Sequence, residues 1–164
     1  MKKLFFVTLL FVSGCASFTN ISKAPSLDKK GKIVVLPLIN NSETPMSGFK
    51  AKNMAENELY SKGFSISPLK NFSEDENFSE KEVKEALAQF KGEEISYALY
   101  GYVNEWRYKS GADYEPAVSL TFNLYDLKNE KVIWSSGGSN SMSSYKSCGI
   151  AAQKLIKKLL SPLK

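Results

Sequence analysis

Three acids in and around one turn, Glu105, Asp113 and Glu115, have the spacing for joint chemistry. Paired carboxylates can cleave a glycosidic bond, one as acid and the other as base or nucleophile. That chemistry needs a pocket, and the surface of a strand meander offers no obvious one. The plainer reading of these acids is a solvated face. Composition closes the other routes to covalent catalysis. The chain contains no histidine, which removes Ser-His-Asp and Cys-His nucleophiles and the commonest metal ligand. Ser135-Ser136-Gly137-Gly138-Ser139 follows a predicted strand but lacks the lysine and the spacing of a phosphate loop. The expectation is a non-enzyme with no catalytic residue, metal or cofactor.

Cysteine chemistry points to the N-terminus. Lys2-Lys3 form a positive n-region, and residues 4–12 a short apolar stretch. Together they read as a signal peptide, too short to span a bilayer. Val12-Ser13-Gly14-Cys15 then has the pattern of a bacterial lipobox, in which the cysteine becomes the first mature residue and is acylated, palmitate among the chains. The alternative is an ordinary secretory signal followed by a chance cysteine. A single acyl chain binds membranes only marginally, whereas more than one holds stably. Ala16, rather than an aspartate, follows the cysteine, which favours the outer membrane, in its periplasmic leaflet. The predicted organisation is a signal peptide over 1–14, lipidated Cys15 with a flexible tether over 15–31, and a single α/β domain over 32–164.

With Cys15 committed to lipid, Cys148 has no partner for a disulfide and reads as a small buried hydrophobe. The formal charge of +5 shrinks once Lys2 and Lys3 are removed, since 22 basic residues become 20 against 17 acidic, or +3. No basic stripe interleaved with aromatics is present, so nucleic acid is not an expected partner.

The acids of the turn must be positioned by the stretch 97–139. Its three aromatic and β-branched runs are broken by Ser110-Gly111-Ala112-Asp113 and by Lys128-Asn129-Glu130. In the second run Val118, Leu120, Phe122 and Leu124 alternate with Ser119, Thr121, Asn123 and Tyr125. That period marks a strand with one buried face, and the block is predicted as an antiparallel meander over about 97–109, 117–126 and 131–136. Upstream, Ile33 to Leu38 is a continuous apolar run, suited to a strand covered on both faces. Helices are predicted over 49–62, closed by Gly63, over 79–91, opened by a capping box at Ser79 and Glu82, and over about 144–160. A short strand at 64–67 lies between the first two, and 139–144 reads as a flexible segment. The order β-α-β-α-β-β-β-α predicts an α/β fold with a mixed or largely antiparallel sheet packed by helices.

The meander and last helix resemble the PelC family, lipoproteins of exopolysaccharide export. The resemblance rests on Gly101-Tyr102-Val103, Glu105-Trp106-Arg107-Tyr108-Lys109, Gly111 and Glu115-Pro116-Ala117-Val118. The Asp126-Leu127 turn, Val132-Ile133-Trp134-Ser135 and Ala152-Gln153-Lys154-Leu155 complete it. With the 33–38 strand and the lipobox it covers nearly all of the mature chain. It implies a fold of the TolB amino-terminal and CsgG kind. It also implies a homo-oligomeric ring, twelve-fold in the family, under the outer membrane at a PelB-like β-barrel. Such a ring guides a cationic, partly deacetylated amino-sugar polymer of a biofilm matrix over an electronegative surface. On that reading Asp113 and Glu115, with Glu105, face the polymer. Arg107 and Lys109 serve subunit contacts or pair with acids, and Trp106 and Trp134 are core or interface. Tyr100, Tyr102, Tyr108 and Tyr114 form an aromatic patch suited to sugar stacking or to an oligomer interface. The family's Gly-Trp-Ser-Arg before the last helix is replaced by Met142-Ser143-Ser144-Tyr145. A membrane-facing tryptophan is therefore missing there, and Met142 or Tyr145 are the candidate substitutes. The competing reading is an envelope-assembly adaptor that activates a peptidoglycan synthase. A CsgG-like pore would need two further membrane-crossing hairpins, and the chain has no spare segments for them.

Overall fold

Alternating apolar side chains in the second meander run create one face that must be covered, and two helices cover it. The computed structural model describes residues 17–69, 78–91, 93–110 and 114–164. Its elements in chain order are β1 (Ser17–Ile21), β2 (Lys32–Val35), β3 (Ile39–Asn40), α1 (Ser47–Ser61), β4 (Ile66–Ser67), α2 (Glu80–Gln89), β5 (Ile95–Tyr108), β6 (Pro116–Asp126), β7 (Lys131–Ser141) and α3 (Cys148–Leu159). The strands form one seven-stranded sheet in the order β1-β7-β6-β5-β2-β4, with β3 beside β5. Strands β2, β4, β3 and β5 pair in parallel, whereas β5, β6, β7 and β1 pair antiparallel. The sheet is therefore mixed, and helices pack on both faces.

One core lies between the sheet and α1 with α3. It takes Val118, Leu120, Phe122 and Leu124 from β6, Trp106 and Trp134 from the flanking strands, and Leu155, Ile156 and Leu159 from α3. Each large apolar side chain buried there contributes roughly 1.5–3 kcal/mol relative to exposure. A second core lies under α2 and gathers Val83, Ala86, Phe90, Ala98 and Leu127. Strand β2 serves both, sending Ile33 and Val35 to the first and Val34 and Leu36 to the second. That dual duty explains its unbroken apolar run. Helix α2 opens with the expected capping box, in which the Ser79 N–H donates to Glu82 Oε2 at 2.7 Å.

Two departures matter for function. Residues 15–31 were expected to form a flexible tether, yet Ser17–Ile21 pairs antiparallel with β7 in five register positions, from Ser17 against Asn140 to Ile21 against Ser136. The backbone hydrogen bond from Ser22 N–H to the Ser135 carbonyl, at 3.1 Å, extends the ladder. Correspondingly, the Gly/Ser/Asn segment after 136 continues as strand to Ser141, paired with β6 on one side and β1 on the other. Gly138 makes this possible: a Cβ there would lie 2.5 Å from the Phe18 carbonyl oxygen. Helix α3 starts at Cys148, later than the expected 144. There Ser147 caps it by accepting from the Ile150 N–H at 3.2 Å.

The second departure is a β-bulge. Val103 pairs with Leu120 and Glu105 with Ser119, so Asn104 is an extra residue in β5. Before it Leu99 and Val103 point to the α1/α3 core; after it Trp106 does. The bulge therefore places Glu105 and Arg107 on the α2 face with Tyr100 and Tyr102.

Candidate functional site

The acids of the β5–β6 hairpin lie near one end of the sheet. Glu115 precedes β6, and the Lys109 N–H donates to its carbonyl at 2.8 Å, which closes the hairpin. The Lys109 ammonium stands 3.5 Å from Glu115 Oε2. On β5 the Arg107 Nε donates to Glu105 Oε1 at 2.8 Å. Each of these acids thus carries a basic neighbour from its own hairpin. Both pairs are solvent-exposed, so each contributes under about 1 kcal/mol of stability. Asp113 lies outside the described residues, as does Cys15.

Trp106 and Trp134 sit in the α1/α3 core, 5% and 2% exposed. The Trp134 indole Nε1 donates to the Ser22 carbonyl at 3.0 Å and so ties the segment after β1 to β7. The Thr44 hydroxyl donates to the Trp106 carbonyl. Arg107 and Tyr108 at the end of β5, and Lys109 just after it, are exposed. The Cys148 thiol donates to the Arg107 carbonyl at 3.3 Å, and burial pushes its pKa up, so it stays a neutral, buried thiol. Of the two substitutes for the missing tryptophan, Met142 is buried in the core, whereas Tyr145 is 94% exposed.

The expected patch of four tyrosines does not form. Tyr108 and Tyr114 are exposed at the hairpin end, but Tyr100 and Tyr102 lie on the α2 face, half-buried, on the near side of the bulge. The Tyr102 hydroxyl donates to Glu80 Oε1 at 3.3 Å. Burial raises the pKa of both phenols, and the Glu80 carboxylate adds to the rise. Glu80, the first residue of α2, went unremarked in the sequence, as did the placement of Tyr125 on this same face, beside Tyr100. The signal for Tyr125 is parity: Tyr100, Tyr102, Asn123 and Tyr125 belong to one face once β5 and β6 are put in register.

Charge is unevenly distributed along the chain. Residues 131–164 carry the six lysines Lys131, Lys146, Lys154, Lys157, Lys158 and Lys164 and no acid. Around α2, Glu80, Glu82, Glu85, Glu93 and Glu94 outnumber Lys81, Lys84 and Lys91. Among the described residues no cluster of three metal-ligating side chains occurs, and no helix is long and apolar enough to cross a membrane.

No family model and no curated protein matches the chain. Solved structures do. The PelC dodecamer from Paraburkholderia phytofirmans is 33% identical, with a TM-score of 0.75, over 90% of this chain and 97% of that one. Lipoprotein GNA1162 from Neisseria meningitidis is 19% identical with a TM-score of 0.62, over 80% of this chain and 99% of that one. The C-terminal domain of LpoB from Salmonella enterica is 16% identical with a TM-score of 0.52, over 71% and 86% of the two chains. The last two share the fold alone.

Proposed function

The chain belongs to the PelC family, and from that premise we propose that it is an outer-membrane lipoprotein that assembles with copies of itself and assists export of a cationic exopolysaccharide. The observation that carries this reading is the 33% identity with a PelC dodecamer across 90% of the chain. Cys15, acylated, holds the subunit to the periplasmic leaflet of the outer membrane, beside a PelB-like β-barrel. The ring acts without chemical turnover. Repeating each acidic side chain around a closed assembly multiplies the field that a passing polycation meets.

The division of charge supports this arrangement. Around α2 the acids outnumber the lysines, whereas α3 carries Lys154, Lys157 and Lys158 and no acid. Glu105, Asp113 and Glu115 remain the hairpin's contribution to the polymer-facing surface, with Arg107 and Lys109 as the local partners of Glu105 and Glu115. The test has two arms. The chain purified in detergent should run as a large homo-oligomer by light scattering, and a strict monomer refutes the ring. Asp113→Asn with Glu115→Gln should lower matrix export in a strain that depends on this protein while leaving the oligomer intact. Unchanged secretion removes these two acids from the polymer-facing surface.

A further inference from the structure

Along the flank of α2 two hollows, of 140 and 250 Å³, meet at Lys84 and Leu87. The first is lined by Tyr100 and Tyr102 with Glu80 at its rim; the second by Tyr125, with Glu130 and Lys91 at its far end. They make one trough that crosses from β5 to β6, lined successively by Tyr102, Tyr100 and Tyr125. Alternate residues on a strand stand about 6.6–6.8 Å apart, so the rings of Tyr102 and Tyr100 repeat along it rather than crowding a single spot. Neither hollow reaches the roughly 300 Å³ of a pocket that engulfs a small ligand. The shape instead suits a chain lying lengthwise, with successive units on successive rings.

The polar groups name the chain. Glu80 presents a carboxylate at one mouth, held by the Tyr102 hydroxyl at 3.3 Å, and accepts from an ammonium. Lys84, one helical turn along α2, presents only donors and suits an amide carbonyl or a hydroxyl. At the far mouth Glu130 is bridged to Lys91. Phenol rings, apolar on both faces and polar at the hydroxyl edge, are suited to the flat faces of pyranose rings.

We propose that this trough is the glycan track of the subunit and binds a linear hexosamine chain carrying both free and N-acetylated amines. The assignment rests on the export reading above, and it adds a binding contact on α2 and the tyrosines to the charged surface that the hairpin acids supply. Tyr100, Tyr102 and Tyr125 supply stacking surface, Glu80 selects the free amine, and Lys84 accommodates the acetylated unit.

The experiment titrates the full lipoprotein in detergent with a partly N-acetylated glucosamine hexamer and, as neutral control, the fully N-acetylated hexamer. Glu80→Gln should weaken the amine-bearing hexamer about tenfold, the size of one charge-assisted hydrogen bond, and leave the neutral one unchanged. Tyr125→Ala should weaken both, with circular dichroism confirming the fold. If Glu105→Gln or Glu115→Gln weakens binding and Glu80→Gln does not, the trough is overturned and the export reading stands. Failure of the intact assembly to bind either hexamer also overturns the trough. The export reading falls separately, on normal secretion by a strain lacking the protein.

Discussion

Replacing Gly138 by alanine tests how β1 is held. A Cβ at this position would lie 2.5 Å from the Phe18 carbonyl oxygen and 2.8 Å from Thr19 Cγ2. The methyl group of threonine can rotate aside, but a carbonyl oxygen in a paired strand cannot. One of the two strands must move, and β1 is at the edge with only five register pairs to lose. Overpacking of this kind costs about 1–3 kcal/mol. Relief by local detachment of β1 at the middle of that range raises its opening equilibrium about 30-fold. Hydrogen exchange reads it directly: the Ser22 amide and the Trp134 indole N–H, bonded at 3.1 and 3.0 Å, should lose protection. The amides of β6 serve as the internal control. Unchanged exchange over 17–22 would refute the reasoning, and so would an equal acceleration in β6, which would mean global destabilisation in place of edge release.

Removing the α2 cap with Ser79→Ala should lower stability by about 1 kcal/mol in urea unfolding, and Ser79→Thr should restore most of it; equal losses for both variants would exclude the hydroxyl. Asp126 organises the β6–β7 turn by accepting from the Lys128 and Asn129 amides at 2.9 Å each and from the Asn129 side chain at 2.7 Å. Burial alone would raise its pKa, but those bonds outweigh it and hold the carboxyl below its usual range. The folded value being depressed, the stabilisation is fully present above the unfolded value near 3.9 and is lost as pH falls through the folded one. Asp126→Asn should cost about 1 kcal/mol at neutral pH and flatten the acid limb of the stability profile; an unchanged acid limb would exclude Asp126 as its source.

The meander was legible because Val118, Leu120, Phe122 and Leu124 repeat at the period of a half-buried strand. The Ile33–Leu38 run likewise announced a strand covered on both faces. Strand β1 was not legible. Ser17-Phe18-Thr19-Asn20-Ile21 has no apolar alternation of note, and its partner lies more than a hundred residues away. For the same reason Ser139 to Ser141, within the predicted flexible segment 139–144, did not read as strand: small, polar residues look flexible until the strand they accommodate is known. The site was obscured by one inserted residue. Straight alternation would put Tyr100, Tyr102, Trp106 and Tyr108 on a common face, and Asn104 breaks that count. The bulge sends Trp106 into the core and turns Glu105 toward the tyrosines, a reversal that no propensity at Asn104 signals.

The early start of β1 leaves almost no slack. Only Ala16 separates Cys15 from Ser17, and two residues reach at most about 7 Å. If Cys15 carries the proposed acyl chains, traction between bilayer and domain passes straight into the β1–β7 ladder, as a mooring line made fast at the hull. On that proposal the subunit keeps one attitude to the membrane, and splicing a flexible spacer after Ala16 would set it swinging without altering a single contact in its core.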